Sequence, residues 1–239
     1  MKQLIYSLLL FSSVAVYGQK AVPTRSHVKY GDGENSWLNI YQAKSDVPTP
    51  VVVWAHANGQ DVTADNFPAG VWKALQAAGI SVISWESVPR ITQVEEVGQG
   101  EKDFDAVMNW LNTHYKEYNI DVNKVVISGQ SRGSIISFAG ANKFSVNIRG
   151  AYFVQALPNM AWKVRDFTED ISKSSPLMVM AYAEAPGSKD GHTPDNGKKI
   201  ENRYKELGIA NRFTLYHSLG KEGLYSHLAA FVKKVTVEK

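Results

Sequence analysis

The stretch VVVWA, Val51–Ala55, is apolar at every position and is flanked by Pro50 and Gly59. A strand that faced water on one side would alternate apolar with polar residues. An unbroken run of this length belongs to a strand buried on both faces, which means a parallel sheet sandwiched between helices. The rest of the chain repeats the pattern. ISVISWE (80–86) is a second such strand, and apolar strands are expected at Val125–Ser128, Gly150–Gln155, 176–183 and Arg212–His217. Helical spacing lies between them: Val71, Leu75 and Ala78 before Gly79; Phe104, Val107, Leu111 and Tyr115 on one face of 101–118; then Arg132–Lys143, Asn196–Leu207 and Ser226–Val235. Two alternating segments around Gly31-Asp32-Gly33 predict an opening hairpin. The βα alternation predicts an α/β fold: a doubly wound, mostly parallel sheet with helices on both faces and no large lid domain.

The chain has 239 residues, enough for one substantial core, and no repeat or linker divides it. Residues 1–18 read as a signal peptide: Lys2, an apolar run from Leu4 to Val16 too short to span a bilayer, then Gly18 before Gln19. The expectation is an exported protein, secreted or periplasmic, with 19–239 as a single domain. The absence of cysteine excludes disulfides, so an exported chain of this kind relies on its core. The net charge of +3 comes without any Lys/Arg run, so neither a nucleic-acid partner nor a membrane span is expected.

Ser131 sits where a strand turns into a helix, in VVIS-GQSRG-SII, with Gly129 and Gly133 on either side. The pentapeptide G-x-S-x-G alone is a weak signal, but between a buried strand and a helix it fits a nucleophile elbow. The glycines remove Cβ atoms that would collide across so tight a reversal. The bland alternative is a serine that caps the helix. A serine hydroxyl needs a base, and the base needs an acid. Of six histidines, His227 follows the last strand at the start of the last helix, where a base can overhang the sheet's C-terminal edge; His192 lies in a polar loop. The acid is expected after strand 176–183, with Asp190 ahead of Glu184 and Asp195, the last of which suits a helix start. Asp190, His192 and Asp195 could also be read as metal ligands, but without His-rich spacing elsewhere no metal is expected. The loop His56-Ala57-Asn58-Gly59 leaves a strand next to the nucleophile strand. It offers an amide of Ala57 or Asn58 as oxyanion donor beside that of Arg132. Trp162, in the irregular stretch 156–175, is the candidate substrate contact.

With strand–GQSRG–helix, the order Ser131, Asp190, His227 and the upstream HANG loop, the chain resembles the α/β-hydrolase fold family over roughly 51–235. Within it the chain is similar to small secreted carboxylesterases, including feruloyl- and acetyl-esterase-like and dienelactone-hydrolase-like members, whose first hairpin HVKYG…LNIYQA also resembles. The resemblance implies a cofactor-free serine hydrolase acting on small or carbohydrate-linked carboxylic esters. Two departures stand out: HANG replaces the usual His-Gly-Gly-Gly, and EAPGSK lengthens the loop before the acid. A peptidase on this fold would carry a large gating domain, for which there is no room, and a non-catalytic binding protein would be expected to lack a triad member.

Overall fold

The computed structural model describes residues 21–57, 67–144 and 147–237. The expected leader and Asn58 lie outside the described residues. Eight strands form one sheet: β1 (Arg25–Lys29), β2 (Trp37–Tyr41), β3 (Thr49–Ala55), β4 (Ser81–Trp85), β5 (Ile120–Gln130), β6 (Gly150–Val154), β7 (Met178–Ala181) and β8 (Phe213–Tyr216). Their order across the sheet is β1-β2-β4-β3-β5-β6-β7-β8. β2 runs antiparallel to both β1 and β4, and every later pairing is parallel. The helices are α1 (Ala69–Ala77), α2 (Val94–His114), α3 (Arg132–Lys143), α4 (Ala161–Val164), α5 (Asp195–Glu206), α6 (Gly220–Gly223) and α7 (Leu228–Val237). None of the described helices is long and apolar enough to cross a membrane.

Residue alternation on β3 divides the core. Val51, Val53 and Ala55 join Phe104, Phe138 and Ile136 under α2 and α3, while Val52 and Trp54 join Phe67, Leu75, Leu228 and Val232 under α1 and α7. Both faces are therefore covered, as the all-apolar strand requires.

Helix α2 begins at Val94, seven residues before the start that spacing alone predicts. Gln93 and Glu96 form a capping box there, and the Glu96 carboxylate accepts the Gln93 amide at 3.0 Å. Glycine inside a helix ordinarily costs stability, and α2 carries two, Gly98 and Gly100. Gly100 is instead a packing requirement, since a Cβ there would lie 2.4 Å from Ile136 Cγ2, and Gly140 answers it with Phe104 Cδ1 at the same separation. The two glycines let α2 and α3 cross closely.

Candidate active site

The sharp turn after β5 puts Ser131 at φ 52°, ψ −114°, a conformation that costs a non-glycine residue on the order of 1–3 kcal/mol. Neighbours hold it there. Its amide donates to the Val154 carbonyl at 3.0 Å, and its carbonyl accepts both the Ser134 amide (3.0 Å) and the Ser134 hydroxyl (2.6 Å). A Cβ at Gly133 would sit 2.1 Å from the Ala55 carbonyl oxygen and 2.7 Å from that of His56, and one at Gly129 would sit 2.6 Å from the Gly133 carbonyl. Both glycines of the pentapeptide are thus demanded by close backbone approach, and the Gly133 contacts bring the loop after β3 against the start of α3.

The Ser131 side chain makes no helix-cap hydrogen bond. Its Oγ lies 2.8 Å from His192 Nε2, and His192 Nδ1 lies 3.3 Å from Asp190 Oδ1. Ser131 and Asp190 therefore come together as the sequence suggests, but through a different histidine. The structure places His227 apart from this pair, at the edge of the sheet. Its ring stacks on Tyr216 of the edge strand, with centroids 4.4 Å apart and planes 24° from parallel. It lines a groove of about 220 Å³ with Leu177, Phe231 and Lys234.

The loop between β7 and α5 carries His192 back across the end of β6 to the nucleophile. The Asn159 amide donates to the Gly191 carbonyl at 2.7 Å, and Asn196 Nδ2 bonds Asn159 Oδ1 at 2.8 Å. Asp195, the first residue of α5, accepts the Gly187 amide at 2.8 Å and the Thr193 hydroxyl at 3.0 Å, so it ties the loop's two ends together. Glu184 contributes its carbonyl to the Ser218 amide. The Asp190 carboxylate accepts the His192 amide at 2.7 Å, and this bond, followed by the charge of the imidazole, holds its pKa below the usual carboxylate value. Its side chain is 48% exposed, and that of His192 is 32% exposed. This acid is wetter than a buried triad carboxylate.

Trp162 on α4 donates Nε1 to the Leu157 carbonyl at 3.0 Å, meets Phe167 edge-on and carries Lys199 4.2 Å above its ring. These contacts make it a support for the loop after β6, which Ser134 also fixes by accepting the Leu157 amide at 2.9 Å. Arg132 opens α3, as expected, with its amide beside Ser131. Its guanidinium is buried, 1% exposed, against Glu86 and His56, a cluster the sequence reading did not anticipate.

A family model, BD-FAE, matches residues 38–179. No curated protein sequence matches the chain. Among solved structures, the fold is similar to a truncated carbohydrate esterase from gut microbiota (TM-score 0.69, 14% identity, 93% of this chain and 98% of that one). It is also similar to Thermogutta terrifontis esterase 2 phosphorylated by paraoxon (TM-score 0.64, 14% identity, 89% and 93%). A third is esterase B from Lactobacillus rhamnosis inhibited by a tributyrin phosphonate (TM-score 0.67, 14% identity, 93% and 90%). At such identities the likeness concerns the fold, which is that of the α/β-hydrolases. With the family match spanning more than half of its residues, including β5 and the Ser131 turn, the chain belongs to the BD-FAE family.

Proposed function

We propose that the protein is a serine hydrolase of carboxylic esters, with Ser131, His192 and Asp190 as its triad. The observation that carries this reading is the strained Ser131, its hydroxyl 2.8 Å from an imidazole that a carboxylate contacts in turn. Ser131 Oγ attacks the ester carbonyl as its proton passes to His192 Nε2. Asp190 accepts from Nδ1–H, fixes the tautomer and stabilises the imidazolium. The tetrahedral oxyanion takes hydrogen bonds from the Arg132 amide and from an amide of the loop after β3, Ala57 or Asn58; donors of this kind are worth about 10²–10³ each in rate. His192 returns the proton to the departing alcohol, and water then releases the acyl group by the same route. The chain order of nucleophile, acid and base remains that of α/β-hydrolases, although acid and base share one loop.

The exposed triad edge suits short acyl groups on small or carbohydrate-linked alcohols, and the similar structures described as a carbohydrate esterase and as inhibitor-bound esterases support that class. The test is a panel of p-nitrophenyl acetate to palmitate, acetylated and feruloylated sugars, and peptide amides. Hydrolysis of the short and sugar-linked esters is expected, and its loss in Ser131→Ala. Turnover of amides alone, or of esters equally well by Ser131→Ala, would refute the reading.

Export is part of the same proposal and rests on the sequence of residues 1–18. Protein recovered from the periplasm or medium should begin at Gln19 or within a few residues of it. An intact Met1 on cytosolic protein would refute this.

A further inference from the structure

Three adjacent central strands, in the order β4-β3-β5, each end on a charged or imidazole side chain that turns inward: Glu86 after β4, His56 after β3 and Arg132 just past β5. All three are 1% exposed. Glu86 Oε1 pairs with Arg132 Nη2, and Glu86 Oε2 lies 3.2 Å from His56 Nδ1. The far side of the His56 ring meets the Ser84 hydroxyl at 2.6 Å, and the Ser87 amide donates to Glu86 at 2.8 Å. The guanidinium donates in addition to backbone carbonyls: Val88 through Nη1, and His56 at 3.0 Å and Ala57 at 3.5 Å through Nη2.

Burying an ion pair is poor value for stability alone, because desolvation offsets most of the attraction. Here the buried charge grips the loop after β3. In a trans peptide the N–H points opposite to the preceding C=O. Drawing the His56 carbonyl onto the guanidinium therefore turns the Ala57 amide away from it. Arg132 follows the nucleophile directly, so its backbone places one donor beside Ser131 while its side chain orients the loop that supplies the other.

We propose that Arg132, Glu86 and His56 form a positioning clamp that sets the second oxyanion donor; the inference rests on the ester-hydrolase reading above. Arg132 and Glu86 act here through the loop and are positioning residues, apart from the Arg132 amide. Lysine cannot replace the fork, since a point charge does not reach the carboxylate and two carbonyl sets together.

The test compares Glu86→Gln with the double variant Glu86→Gln/Arg132→Met, which removes both charges and so is expected to recover the melting temperature that Glu86→Gln alone loses. If the clamp positions the loop, the folded double variant still loses kcat by about 10²-fold with KM nearly unchanged, the signature of a lost transition-state donor. Hydrogen exchange at the Ala57 amide should accelerate in parallel while residues 51–54 stay protected. A purely structural ion pair predicts that activity returns with stability. A folded double variant with kcat close to wild type, or with unchanged loop exchange, overturns the proposal. Should the wild-type protein hydrolyse no ester, the hydrolase reading fails and loop exchange alone decides on the clamp.

Discussion

Replacing His192 with alanine should lower kcat for ester hydrolysis by about 10⁴- to 10⁶-fold, whereas His227→Ala should leave it within about threefold of wild type. The contrast follows from geometry. His192 Nε2 is at hydrogen-bond distance from Ser131 Oγ, while the His227 ring is stacked on Tyr216 at the sheet edge. Asp190→Asn should fall between them, on the order of 10²-fold, short of the roughly 10⁴ of a buried triad acid. The Asp190 carboxylate is half exposed and already holds the His192 amide, so water and the loop backbone keep part of the orientation when the charge is gone. Combining Ser131→Ala with His192→Ala should cost little more than either alone, because members of a triad act as a unit. Steady-state kinetics on one activated ester measures all of these. Equal losses from His192→Ala and His227→Ala would contradict the assignment.

Gly133→Ala should destabilise the protein by at least about 3 kcal/mol and abolish activity in whatever remains folded. The added methyl would lie 2.1 Å from the Ala55 carbonyl oxygen and 2.6 Å from its carbon. Those are backbone atoms at the end of a central strand buried throughout Val51–Ala55, so no flexible side chain can yield. Relief requires α3 to move off the loop after β3, which would separate Ser131 from that loop. Gly98→Ala in α2, where a Cβ meets nothing within 4 Å, is the control and should stabilise slightly by its better helix propensity. Thermal or denaturant unfolding followed by circular dichroism distinguishes the two. A Gly133→Ala protein as stable as wild type would show that the elbow is looser than described.

Much of this architecture was legible in the sequence because burial on both faces leaves a plain mark. Val51–Ala55, Ser81–Trp85 and Val125–Ser128 are strands in the structure where apolar runs predict them, and α3 starts at Arg132, directly after the Gly-Gln-Ser turn. The imidazole that lies nearest Ser131 was not legible. Connectivity points to the loop after the last strand, where the chain enters α6 and His227 stacks on Tyr216. What returns His192 to Ser131 is a set of long-range bonds, Asn159 to Gly191 and Asn196 to Asn159, that no local pattern encodes. One signal was present: Asp190-Gly191-His192 places acid and imidazole two residues apart around a glycine, in a loop longer than the resemblance implied. The buried Arg132–Glu86–His56 cluster was hidden for a related reason. Each member lies just past the end of its strand, far from the others in sequence, and only the strand order β4-β3-β5 makes them neighbours.

The central claim, that Ser131 is a nucleophile activated by His192, is tested most directly by fluorophosphonate labelling followed by peptide mapping. The reagent mimics the tetrahedral intermediate, so labelling needs the hydroxyl, the base and the oxyanion donors together. The expected result is one covalent mass on Ser131 in the wild-type protein and in His227→Ala, and none in Ser131→Ala or His192→Ala. An adduct on another residue, no adduct in the wild type, or full labelling of His192→Ala would contradict it.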